Sequence, residues 1–143
     1  MTIAYRCEPG ARLVVEVFHG DVSFADFREH AERQAGDPAW LATTKALSDL
    51  STARIPHITD RAYDEIAELL GQRPDWASGR TIAIVGGSEW ETATDAERAA
   101  AAKISANAIV FNNPETACKW LGVDPDMVQA TIADLRSQLR AEG

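Results

Sequence analysis

The sequence predicts an α/β domain in which a mixed or parallel sheet is covered by helices. Three observations predict it. Short apolar runs rich in β-branched residues recur along the chain, the cleanest being Arg80–Val85 (RTIAIV) and Asn107–Phe111 (NAIVF). Segments with helical spacing of apolar residues separate the later runs. A Pro9-Gly10 turn signal sits between the first two runs, so the domain opens on a hairpin rather than on a strand–helix–strand unit.

Thr2–Cys7 and Arg12–Phe18 are expected to be antiparallel strands joined by Glu8-Pro9-Gly10-Ala11. In the second strand Leu13, Val15 and Val17 alternate with Val14, Glu16 and Phe18. Both faces are largely apolar, as in a strand covered on both sides. Ser23 with Asp26 forms a capping-box pattern at the start of a helix whose stripe is Phe24, Phe27 and Ala31. Gly36-Asp37-Pro38 ends that helix. Lys45–Leu50 reads as a short third strand and Ser51–Thr59 as a loop broken by Pro56.

A helix from about Asp60 to Leu70 places Ile58, Ala62, Ile66, Leu69 and Leu70 on one face. After a polar loop, Gly71–Gly79, comes the strand Arg80–Val85. Thr94 with Glu97, or Ser88 with Glu91, caps an Ala-rich helix reaching about Ile104. Asn107–Phe111 is the fifth strand. Asn113-Pro114 opens a short helix that Gly122 stops, and Trp120 on that helix is expected in the core. Asp124-Pro125 repeats the start signal for a final helix over about 125–141.

A chain of 143 residues spans one ordinary domain, 1–143, able to bury a core without disulfides or metal. No apolar run approaches the roughly 20 residues that cross a bilayer, so membrane insertion is not expected. Met1–Arg12 lacks the pattern of a signal peptide. With Cys7 and Cys118 as its only cysteines, the chain suits a reducing compartment, and a cytoplasmic location is expected. A formal net charge of −8 repels phosphate backbones and anionic lipid, which disfavours nucleic acid as a partner.

The element order, together with Leu47-Ser48-Asp49-Leu50-Ser51, Arg80-Thr81-Ile82-Ala83-Ile84-Val85 and Val110-Phe111 followed by Glu115-Thr116-Ala117-Cys118-Lys119-Trp120-Leu121-Gly122, resembles the STAS-like (SpoIIAA-like) superfamily. The resemblance covers about Ile3 to Gly122. It implies a SpoIIAA-like five-stranded mixed sheet with an N-terminal β-hairpin, and the habit of a binding or regulatory module. Some members are phospho-switched anti-sigma-factor antagonists with an Asp-Ser-Ser-Gly-like turn opening the second helix. Here that place reads Ile55-Pro56-His57-Ile58-Thr59-Asp60. Thr59 or Ser51 would have to accept the phosphate.

No catalytic or metal motif stands out, and no cofactor is expected. Gly86-Gly87-Ser88, after a strand and before a helix, offers amides that could cradle an anion, although Glu89 and Glu91 oppose a phosphate. Trp76 and Trp90 lie in loops flanking one strand and could line a cleft for a small apolar ligand or a protein partner, with His57 nearby. The plainer reading is that they lid the core. Asp49 ends the third strand and is expected to bind amides of the following loop. A small enzyme or redox protein using His19, His57 or Cys118 is the alternative. His30 completes the histidine set, but no close-spaced ligand pair exists. Both cysteines fall within secondary structure, so a lowered thiol pKa is not expected. The final helix carries Val128, Ile132, Leu135 and Leu139. That stripe must be covered, either by the domain itself or by a second copy in a homodimer.

Overall fold

The computed structural model describes residues 1–54, 68, 80–86 and 107–142. These form five strands and four helices, apart from the single helical residue Glu68. β1 (Ile3–Glu8) and β2 (Leu13–Asp21) are joined by one 3-10 turn over Pro9–Ala11, where Arg12 takes the left-handed conformation at φ 52°. α1 (Phe24–Ala35), α2 (Pro38–Leu41) and β3 (Lys45–Arg54) follow. β4 (Thr81–Val85), β5 (Asn107–Phe111), α3 (Pro114–Leu121) and α4 (Pro125–Glu142) complete the described chain.

The strands form one mixed sheet in the order β1-β2-β3-β4-β5. β1 pairs antiparallel with β2, and the remaining neighbours are parallel. This is the expected five-stranded sheet with its N-terminal hairpin. β2 and β3 run further than expected, to Asp21 and Arg54, because each supports the other beyond a register shift between Val17 and His19. α2 forms between α1 and β3, where no element was expected. Pro38 pre-sets its first turn, and the Asp37 carboxylate accepts from the Ala39 amide at 3.0 Å.

The caps follow the sequence. Ser23 and Asp26 exchange both capping-box hydrogen bonds at the head of α1. Asn113 accepts from the Thr116 amide at 2.9 Å at the head of α3. Gly122, at φ 72°, ends α3, and the Val123 amide reaches back to the Cys118 carbonyl at 3.0 Å. A left-handed residue is required there, and glycine adopts that conformation without steric cost.

Alternation assigns the two faces. Leu13, Val15, Val17, Leu47, Ala83 and Val85 meet Leu121, Val128, Ile132, Leu135 and Leu139 of α3 and α4. On the opposite face, Phe18, Leu50 and Ile84 meet Phe27 of α1, and Val14 and Ala46 meet Trp40 of α2. The α4 stripe is thus covered by its own sheet, with Val128 at 0% and Leu139 at 2% exposure. Of the two covers expected for Val128, Ile132, Leu135 and Leu139, the intramolecular one is realised. The dimer role assigned to these four is corrected accordingly, because buried side chains offer no surface to a second copy. Trp120 corrects another expectation. It is 38% exposed, with its ring 5.6 Å from that of Phe111, because α3 turns Ala117, Cys118 and Leu121 inward instead.

Candidate functional site

One charged residue lies in the middle of β2. Glu16 is buried and points to the α1 face between Val14 and Phe18. Two residues one turn apart on α1 and one on β3 converge on it. Oε2 accepts from His30 Nε2 and, at 2.7 Å, from Gln34 Nε2. Oε1 accepts from Ser48 Oγ at 2.9 Å. Ser48 is in register with Glu16 on the neighbouring strand, which fixes its reach. His30 and Gln34 share a helix face at i and i+4. An ionised carboxylate only accepts, so His30 carries a proton on Nε2. His30 Nδ1 is buried and has no hydrogen-bond partner among the described residues. The ring is held edge-on by Tyr5 and Phe18, with centroids at 5.6 and 5.8 Å.

Burial alone would raise the Glu16 pKa. The hydrogen bond and charge of His30, with the bonds from Ser48 and Gln34, outweigh it and hold the carboxyl below its ordinary range. Beside this quartet, Arg80 lies buried with its guanidinium 4.2 Å from the Trp40 ring centroid. Its Nη1 donates to Thr43 Oγ1 at 2.7 Å. Glu16, Gln34 and Ser48 are joined by their hydrogen bonds inside the domain, and the quartet is buried.

The groups that do face solvent lie along β1, at one end of the sheet. An open groove of ≈ 520 Å³ straddles that edge between the end of α4 and the α1–α2 corner. Tyr5 and Cys7 form its floor, Arg33 and Asp37 one wall, Gln138 and Leu139 the other. Tyr5 Oη donates to Asp37 Oδ2 at 2.7 Å. Burial, then the Asp37 bond, pushes the Tyr5 hydroxyl well above its ordinary value. Burial also pushes the Cys7 thiol up to about 11, with the charge of Asp37 adding to it. The His19 amide donates to the Thr2 carbonyl at 2.8 Å. In an antiparallel ladder this turns the main-chain groups of Ala4 and Arg6 toward β2, and those of Ile3, Tyr5 and Cys7 outward.

The residues singled out from sequence fall in separate places. His19 Nδ1 lies 3.0 Å from Thr52 Oγ1 at the end of β2, apart from the His30–Glu16 quartet. Asp49 is 2% exposed, and its Oδ1 accepts from the Ser51 amide at 3.0 Å, as expected. Its Oδ2 receives Arg136 Nη2 of α4 at 2.5 Å, which sequence spacing gave no sign of. Ser51 is exposed, with Oγ 3.4 Å from the same Arg136 nitrogen. The Gly86 amide donates to the Phe111 carbonyl at 3.1 Å, so it is committed to the sheet and is lost to the anion cradle. Cys118 is buried in α3 with its thiol pKa raised by burial. His57, Thr59, Trp76, Gly87, Ser88 and Trp90 lie outside the described residues, as do the helices expected over 94–104 and over all but Glu68 of 60–70. Among the described residues no three possible metal ligands cluster, and no helix is long and apolar enough to cross a membrane.

The arrangement of hairpin, parallel strands and flanking helices is a SpoIIAA-like fold. A crystal structure from Shewanella loihica PV-4, described as an uncharacterized protein of the DUF3478 family with a SpoIIAA-like fold, is similar over 83% of this chain and 93% of that one, with a TM-score of 0.54 and 19% sequence identity. No family model and no curated protein matches the chain. A likeness at this identity establishes the fold and leaves function to the residues.

Proposed function

We propose that the protein is a non-enzymatic binding module of STAS-like type, and that its ligand is an extended segment of a protein partner lying along β1. The observation that carries this reading is the coincidence of the groove with outward main-chain groups. Ile3, Tyr5 and Cys7 present amides and carbonyls at the edge where the groove opens. A strand added there would pair with them while its side chains meet Gln138 and Glu142 at the end of α4 on one side and Arg33 and Asp37 on the other. A small apolar ligand would leave those main-chain groups unpaired and would strip water from the Arg33 and Asp37 charges. Chemistry at this place lacks an activated group, since the Cys7 thiol is raised to about 11.

Selection from a random-peptide display library against the folded protein tests the reading. Bound peptides should slow hydrogen exchange at the Tyr5 and Cys7 amides. They should also lose affinity in Cys7→Pro, which removes an outward amide that β2 does not use. Peptides that bind without protecting these amides would overturn the strand-addition reading. So would a fluorescent fatty-acid probe that fills the groove and displaces the peptides.

A further inference from the structure

The opposite end of the sheet differs in chemistry. Among the described residues β5 is the last strand in the sheet order. From Asn107 to Asn113 the sequence NAIVFNN contains no charged residue, in a chain whose net charge is −8. Edge strands of soluble proteins are ordinarily blunted by lysine, proline or a bulge. Asn107–Phe111 contains neither residue, and its register with β4 is unbroken. Ile109 is 42% exposed and Trp120 38%, and Phe111 lies in ring contact with Trp120. Apart from Met1, Ile109 and Trp120 are the large apolar side chains most exposed among the described residues.

We infer that β5 pairs antiparallel with β5 of a second copy, joining two five-stranded sheets across a two-fold axis. Charge and register both favour this occupant. Two acidic chains repel each other over most of their surfaces, and the uncharged strand is where a second copy brings no charge of its own into the pairing. The Gly86 amide bonds to the Phe111 carbonyl, so Phe111, Ile109 and Asn107 direct their main-chain groups to β4. Ala108 and Val110 direct theirs outward. A two-fold axis through Ile109 sets Ala108 opposite Val110 of the other copy, and each such pair exchanges two main-chain hydrogen bonds. The same axis brings Ile109 against its own symmetry mate as a close, non-hydrogen-bonded pair, with Asn107 opposite Phe111. Ile109 and Phe111 point to one face, so the Phe111–Trp120 pair of each copy flanks the Ile109 contact. The interface is isologous and closes at two chains, because the two-fold axis uses the β5 edge of both copies.

Sedimentation velocity and cysteine cross-linking test the proposal. The wild-type chain should sediment as a dimer at micromolar concentration. Ile109→Lys, which sets two ammonium groups face to face, should give a monomer with unchanged far-ultraviolet circular dichroism. Trp120→Gln, at the rim, should raise the dimer dissociation constant roughly tenfold while leaving the fold intact. Ile109→Cys should oxidise to a covalent dimer because the symmetry-related α-carbons come within disulfide range. Glu32→Cys, exposed on α1, should not. A wild-type chain that stays monomeric at high micromolar concentration would overturn the proposal. A dimer that survives both Ile109→Lys and Trp120→Gln would do the same.

Discussion

On the face covered by α3 and α4, Leu13, Val15, Val17, Leu47 and Val85 meet a continuous helical stripe, and the Asp49–Arg136 pair lies toward the C-terminal ends of the strands. On the face covered by α1 and α2, the apolar cover is interrupted. Glu16 stands between Val14 and Phe18 and divides one apolar cluster around Phe18 and Phe27 from another around Val14 and Trp40. The first face is held mainly by area and shape, with the Asp49–Arg136 pair added at its end. Such layers accept changes that conserve volume, because dispersion and burial are not directional. The second is held by hydrogen bonds that tolerate only one placement of α1, since His30 and Gln34 must both reach Oε2. A polar inlay of this kind is expected to fix the placement of α1 more than to add net stability.

The largest expected effect comes from breaking the inlay. Glu16→Ala leaves three buried donors without their acceptor and should cost about 3–5 kcal/mol by denaturant titration. On the dry face Leu135→Ala should cost about 2–5 kcal/mol, a cavity term of similar size. The two faces separate on repair. Replacing the whole quartet together, as Glu16→Met, His30→Leu, Gln34→Leu and Ser48→Ala, should recover much of the loss, because none of the quartet's donors is left without its acceptor; the part not recovered reports the Glu16 charge lost beside the buried Arg80. No such rescue exists for Leu135→Ala short of refilling the cavity. A quadruple variant as unstable as Glu16→Ala would show that the inlay contributes net stability and not only placement.

A smaller effect is expected from acid. The folded pKa of Glu16 lies below its ordinary value. In the window between the two values the unfolded chain binds more protons than the folded one, so stability rises with pH there. The contribution is fully present above the unfolded glutamate value of about 4.3 and is lost as pH falls through the lower, folded value. Urea midpoints measured down this range should therefore fall more steeply in the wild type than in Glu16→Gln. Equal slopes would mean that another carboxylate, such as the capping Asp26, whose pKa is also lowered, dominates the acid limb.

Much of the dry face was legible in the sequence, because period-2 strands and a three-four-spaced helix name their buried sides directly. The caps were legible too, since Ser23 with Asp26 and Asn113 with Pro114 are local chemistry. The inlay was half legible. A glutamate inside an apolar run covered on both faces demands donors, and His30 with Gln34 at i and i+4 supplies them. What concealed this was grouping His30 with the other histidines by residue type, when its partner is set by the helix face it occupies. Arg136 on Asp49 could not be read, because it depends on how α4 lies across the sheet. The exposure of Trp120 depends in the same way on the roll of α3, which eight residues of pattern do not fix.

The smallest expected effect lies at the rim of the dry face. Arg6 on β1 meets Asp134 on α4 at 3.3 Å, with side chains 42% and 67% exposed. The geometry suggests a clasp holding the helix to the sheet edge. Solvent argues otherwise, because exposed pairs gain little Coulomb energy over their hydrated state and lose side-chain freedom. A double-mutant cycle with Arg6→Ala and Asp134→Ala should return a coupling of about 0.2–1 kcal/mol, falling further in high salt. α4 would then be held by Val128, Ile132, Leu135 and Leu139 rather than by charge. A coupling of several kcal/mol that survives high salt would mean that directional contacts hold α4 at its rim as well as at Asp49, and the distinction between the two faces would not hold.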